Sequence, residues 1–261
     1  MSRAASPARA VAAMTAMELR LVLRRGENLF ATIVIPTLVL VLFSSVAVID
    51  LPGRRPVDFL LPGSIALAII ATSLVSLGIT TAYDRTYGVL KRLGGSPVSR
   101  PELIVARILT VLVVEAVQVG LLIGTAVVVL GWSPPGTVSV PVLIGGVALG
   151  TLAFAGLGLL LAGILPGETM LAVANLLFLA FLALGGIIVP VDRLPAPVAA
   201  IGHALPAAAL SDVLRAALGP TAASTAAGPA GAAPDPLSSG ILLAVWGALA
   251  VGLAAVTFRW E

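Results

Sequence analysis

The sequence predicts an all-α membrane protein of six transmembrane helices, and three observations lead there. Hydrophobic residues make up 59% of the chain and charged residues only 10%, against about 25% charged in a soluble domain. Such a chain cannot cover a water-facing surface, and its mean hydropathy is +1.13. The apolar residues also gather into six runs, at 30–49, 60–82, 108–130, 140–165, 170–189 and 241–258. Each is close to the roughly 20 residues that a helix needs to cross a bilayer. Residues 1–261 thus read as one membrane domain.

The elements follow in chain order. Residues 1–28 form an amphipathic segment: Met14, Met17 and Leu21 fall at helical spacing, while Arg20, Arg24 and Glu27 share another face. Two readings stand. One is an interface helix with its arginines toward anionic lipid or a cytoplasmic partner; the other is a positive flank that sets orientation. The first apolar run contains the small-x-small site Ser45-Val46-Ala47. It is read as a span all the same, because it exceeds the apolar core of a signal peptide and follows a long polar segment.

A charged island, Tyr83 to Leu93, interrupts the second and third spans. It reads as a short helix with Asp84 in its first turn and Lys91 and Arg92 in its last, each placed to suit the helix dipole. Gly94-Gly95 supplies the left-handed residue that ends a helix. Ser99 and Glu102 form an S-x-x-E capping box that opens the next one. The island is either an ordinary loop or a rigid docking helix for a partner.

Beyond the fifth span, Gly185-Gly186 and Pro190 break the chain. Ile201 and Leu205 precede Pro206, and Leu210, Leu214 and Leu218 repeat at four-residue spacing. This pattern predicts two short re-entrant helices in the outer leaflet. Residues 219–238, rich in Pro, Ala, Gly, Ser and Thr, read as an external flexible linker.

Orientation follows from Lys and Arg. With both termini in the cytoplasm, Arg54, Arg55, Arg193 and Arg215 lie outside and the other eleven of the 15 basic residues lie inside. The charged island is then cytoplasmic. Dispersal of the basic residues at the ends of apolar runs argues against a nucleic-acid partner.

Polar groups inside apolar spans are functional suspects. Arg107 sits near the inner end of the third span, where it can snorkel. Glu115 lies eight residues deeper, about 12 Å by helix rise, with Gln118 one turn further on the same face. The pair reads as structural hydrogen bonding, or as a group for conformational switching or cation contact. Asn175 is expected to bond a neighbouring helix. Thr72, Ser73, Ser76, Thr80 and Thr81 give the second span a polar edge that suits helix packing or, alternatively, a translocation path. Gly120/Gly124 and Gly146/Gly150 have the G-x-x-x-G spacing of close helix contacts. His203 reads as an interfacial or satisfied side chain.

Several functions are excluded or disfavoured. The chain has no cysteine and one histidine, so a thiolate or histidine metal centre and a Ser-His-Asp triad are not expected. No cofactor is expected in the chain itself. The P-loop motif needs a lysine followed by Ser or Thr; the only lysine, Lys91, is followed by Arg92. An ion-coupled secondary transporter is the alternative reading, but it would want paired buried ionisable groups and broken helices, and only Glu115 qualifies.

The stretch Gly88-Val89-Leu90-Lys91-Arg92-Leu93, with the turn Pro97-Val98-Ser99-Arg100 after it, resembles the cytoplasmic signature of ABC exporter permeases of the type 2 class. Gly185, Gly186, Pro190, Leu194, Pro195, Pro206 and Arg215 resemble that family's second signature, on the outer side. The six-span layout and the N-terminal amphipathic helix match as well. The resemblance implies that the island is a coupling helix seated in a separate P-loop ATPase subunit, which would carry ATP and Mg. It also implies a second permease copy, identical or related, with the substrate path along the first, second and fifth spans. The expected function is then an ATP-driven exporter of a drug or lipid, multi-pass in a bacterial plasma (inner) membrane. This chain would be its transport subunit, not its ATPase.

Overall fold

The computed structural model describes residues 6–24, 26–46, 55–94, 99–219 and 236–257; the side chains of 26–29, 31, 93, 94 and 100 are outside that description. All regular structure among these residues is helical. An initial helix α1 (Pro7–Arg24) is followed by α2 (Gly26–Val46) and a long α3 (Pro56–Thr86). A short α4 (Val89–Gly94) leads to α5 (Arg100–Val128), α6 (Val140–Ile164) and α7 (Gly167–Leu184). A single 3-10 turn, Val191–Arg193, precedes α8 (Ala196–Ala204), α9 (Pro206–Ala217) and α10 (Pro236–Thr257).

Five of the described helices, α3, α5, α6, α7 and α10, are long and apolar enough to cross a membrane. The pair α8 and α9 reaches that length only as a broken unit bent by 75°. The run at 30–49 falls on α2, whose apolar stretch Thr32–Val46 is shorter; residues 47–49 lie outside the description. Most of the expected linker, residues 220–235, lies outside it too.

The second of these runs became the centre of the molecule. The apolar window of α3 is 89% buried, against 22% for α7 and for α10, so α3 is the core helix and the others wrap it. Small residues let the backbones close in. A Cβ at Gly158 of α6 would meet the carbonyl oxygens of Ser73 and Leu74 at 2.9 and 3.0 Å. One at Gly156 would meet Val251 N of α10 at 2.8 Å. Without a hydrophobic drive between helices in lipid, close backbone packing of this kind is a main source of association.

Of the two G-x-x-x-G pairs, Gly146 and Gly150 take Val213 and Leu210 of α9 against their open faces, at 2.8 Å from a would-be Cβ. Gly120 and Gly124 meet nothing within 4 Å, so that spacing makes no helix contact among the described residues. A further correction concerns the fifth run. It stops at Leu184 rather than at 189, because Gly186 takes a left-handed conformation (φ 66°). Ile187 is thereby turned inward and fully buried, its carbonyl against Gly63 of α3.

The contrast between glycines is testable. Gly158→Ala is expected to destabilise the purified protein, because the added methyl strikes α3 backbone. Gly124→Ala is expected to stabilise it by about 0.5 kcal/mol through helix propensity. Thermal unfolding in detergent would read both, and equal effects would refute the packing account.

Candidate functional site

The site begins where α3 ends. Gly88, at φ 69°, occupies a conformation that costs an L-residue about 1–2 kcal/mol, and it turns the chain from α3 into α4. The helix boundary therefore falls after Asp84. That corrects the expectation that Asp84 opens the short helix: it lies in the last turn of α3.

There Asp84 Oδ2 receives Arg107 Nη2 of α5 at 2.5 Å, while Arg107 Nη1 donates to the Thr81 hydroxyl. Glu18 of α1 stands 3.5 Å from Arg107 Nε. Arg107 is only 3% exposed, so it does not snorkel. It is the centre of a three-helix ionic cluster. The neighbouring Arg85 donates to the carbonyls of Gly163 and Leu165, at the end of α6. Consecutive residues thus fasten the end of α3 to α1 and α5 on one side and to α6 on the other.

α4 is docked by its own chain. Leu90 is fully buried with Met14 of α1 and Leu103 and Ala106 of α5. Leu90, which the resemblance places in the helix seated in a partner subunit, thus turns its side chain to its own chain instead. What α4 and its turn present instead are Lys91, Arg92 and Tyr87, the last 71% exposed, with Val89 at 38%. Ser99 caps α5: its hydroxyl accepts from Glu102 N, and Ser99 N donates to Glu102 Oε2 at 2.7 Å. Pro97 and the side chains of Leu93 and Arg100 lie outside the described part, as does Gly95.

A second polar set lies deeper. Glu115 and Gln118 of α5 are 0% and 1% exposed. Glu115 accepts from Ser73 of α3 and Thr151 of α6. Gln118 accepts from Thr72 of α3 at 3.0 Å and donates to the Thr32 carbonyl of α2 at 3.2 Å. Neighbours in an α-helix diverge by about 100°, yet both Thr72 and Ser73 reach α5. They sit in a π-helical stretch, Ile70–Ser76, a local widening often found at functional sites. Asn175 belongs to neither set. It is exposed and bonds the Leu171 carbonyl of its own helix at 2.8 Å, in place of the bond to a neighbouring helix that the sequence predicts.

At the opposite end, Arg215 of α9 donates to the Gly186 carbonyl and pairs with Asp212 at 3.1 Å. Its guanidinium also lies 4.2 Å from the centroid of the Phe59 ring. Gly185 caps α7 against Ala207. Pro190 precedes the 3-10 turn, whose last carbonyl-bonded residue is Leu194; Pro195 precedes α8 and Pro206 opens α9. His203 pairs with Asp192 at 3.0 Å.

A family model described as ABC-2 type transporter matches residues 9–218, from the first turn of α1 to the end of α9. The chain belongs to the ABC-2 type transporter family. It is therefore the transmembrane permease of an ABC transporter, a transport subunit rather than an ATPase, and such permeases generally work with an ATPase subunit. No curated protein matches the chain.

Within this ABC-2 permease, sequence reasoning missed Glu18, Tyr87 and the role of Arg107. Glu18 left a signal: it stands four residues after Met14, an acid on the apolar face of α1. Asp84 and Arg107 left none, since partners 23 residues apart on different helices have no local spacing. Removing one member of a buried pair leaves the others uncompensated. Arg107→Gln is thus expected to cost about 3 kcal/mol or more in detergent unfolding, and Glu18→Gln far less, because Asp84 keeps the guanidinium. In the deeper set, Glu115→Gln keeps an acceptor of the same size. Glu115→Leu strands the Ser73 hydroxyl and should cost about 1–3 kcal/mol more. If the leucine and glutamine variants melt together, the hydroxyl contacts contribute nothing.

Proposed function

We propose that this permease is the membrane-spanning half of an ATP-driven exporter, with α4 as the coupling helix through which a separate nucleotide-binding subunit moves the spans. The observation that carries the reading is the two-sidedness of α4. Leu90 is buried in its own chain, while Tyr87, Lys91 and Arg92 are exposed. A helix held from behind and bare in front passes a push on to α1, α3 and α5, where a free loop would absorb it. The anchoring of Asp84 and Arg85 just before Gly88 supports the same reading.

In this proposal α1 is an interface helix and α8 with α9 is a re-entrant outer pair. Both termini and α4 face the cytoplasm of a bacterial cell, as the distribution of basic residues suggests. ATP and Mg stay on the partner subunit. The working unit contains two permease copies, identical or related, and the cargo is an amphipathic or lipophilic drug or lipid that travels between them.

Two measurements test this. Cysteines placed singly at Arg92 and at Ala196 of this cysteine-free chain should react with an impermeant thiol reagent from opposite sides of the membrane; labelling of both from outside overturns the orientation. Tyr87→Ala with Arg92→Glu should weaken co-purification with the ATPase subunit about tenfold or more, as losses at an exposed aromatic and arginine pair do, with only the small loss of stability, about 0.5–1.5 kcal/mol, that follows from unstacking Tyr87 from Tyr83. Leu90→Ala should instead lower stability, by about 2–3 kcal/mol. Unchanged association and export in the Tyr87/Arg92 variant would reduce α4 to a loop.

A further inference from the structure

Between α1, α3 and α5 lies a cavity of about 220 Å³, and its chemistry is one-sided. One end is charged by Glu18, Asp84 and Arg107. Two carboxylates share a single guanidinium, which leaves a net charge of −1 in a place where the acids are only 15% and 18% exposed. The sharing is uneven, with Asp84 at 2.5 Å and Glu18 at 3.5 Å. Arg107 Nε, buried with the rest of that side chain, has no hydrogen-bond partner among the described residues. Glu18 is therefore held near Arg107 by charge alone, and its carboxylate keeps lone pairs for another donor.

One wall carries hydroxyls. Thr72, Ser76 and Thr80 line it at four-residue spacing along α3, and a hydroxyl that donates elsewhere still has lone pairs with which to accept. The remaining wall is apolar, from Leu21 and Val22 of α1 and Val111 and Val114 of α5. Val89 of α4 completes it.

We propose that this cavity binds a small amphipathic monocation, a primary or secondary amine with one aromatic ring or a short alkyl body. The ammonium would donate to Glu18 and the α3 hydroxyls and cancel the surplus charge, and the body would lie on the apolar wall. An anion meets two carboxylates, and a neutral amphiphile leaves the charge uncompensated. Size sets the rest. A cavity of about 150 Å³ holds benzene, and drug-sized pockets begin near 300 Å³, so the occupant is a ring plus a few atoms. The site does not depend on the export reading, since binding is measured on the isolated chain. Because Val89 forms part of the wall, an occupant touches α4 directly.

The test is saturable binding of phenethylammonium to the full chain in phosphatidylcholine nanodiscs, followed by calorimetry, with 2-phenylethanol and phenylacetate as matched neutral and anionic probes. The amine should bind about tenfold tighter than the alcohol, as befits one buried charge pair, and phenylacetate should not saturate. Glu18→Gln, which leaves Arg107 paired to Asp84, should bring the amine down to the affinity of the alcohol. Leu21→Trp, which fills the cavity from the more exposed α1 side, should abolish binding of both and stands as the test if Glu18→Gln misfolds. Phosphatidylethanolamine nanodiscs separate two sources of amine. Weaker probe binding there supports the site with a lipid headgroup as occupant, and unchanged binding supports it with a soluble one. Equal affinity for amine and alcohol, or amine binding that survives both substitutions, overturns the proposal.

Discussion

In hydrocarbon a hydroxyl or carboxyl that lacks a protein partner has no water to turn to. The arrangement of this permease depends on that constraint along one seam, where α3 meets α5. Thr72 and Ser73 meet Gln118 and Glu115, and Thr81 and Asp84 meet Arg107. Each pairing fixes both the rotation of the two helices and their register. Glu115 then draws in α6 through Thr151, and Gln118 draws in α2 through the Thr32 carbonyl. Polar contacts between membrane helices are individually modest, about 0.6 kcal/mol on average. Their weight here comes from number and position, since four helices are held in place by two side chains of α5.

Apolar packing fills the space that this seam defines. Small residues bring α6 against α3 and α10, so backbone rather than bulky side chains sets the spacing there. Larger side chains make the contact between α6 and α7, where Phe154 meets Phe181 edge to face with ring centroids 5.4 Å apart. At the far end, α9 lays Leu210 and Leu214 into the glycine face of α6 while Arg215 reaches Gly186. A broken pair of short helices is thereby secured by one buried face and one guanidinium.

How much of this the sequence disclosed depends on the range of the interaction. The apolar runs, the capping box at Ser99 and the two short helices after Pro195 are local patterns, and they were legible. The leucine repeat at 210 and 214 likewise marked a buried face. Boundaries set by a single glycine were less so. Gly186 ended α7 a turn early, and Gly88 moved Asp84 from the short helix to the long one. Pairings between helices were least legible. Glu115 and Gln118 could be singled out as costly in an apolar run, but nothing in their spacing named Ser73, Thr151 or Thr72. Arg107 looked dispensable because its partners, Glu18 and Asp84, belong to helices that only the fold brings beside it. The inward direction of Leu90 was hidden for the same reason.

The π-helical stretch of α3 has a mechanical corollary. A wider turn changes the phase of every residue that follows, so the azimuth at which Thr81, Asp84 and Arg85 leave the helix is set upstream, at Ile70–Ser76. Were that stretch to rewind as ordinary α-helix, the segment beyond it would swing about the helix axis by roughly the 100° that separates adjacent residues. Asp84 would be carried off Arg107 and Arg85 off the end of α6, with no bending of α3 at all. The helix at the heart of this permease is thus built like a key shaft, able in principle to convert a slip of one residue in its middle into a turn at its tip.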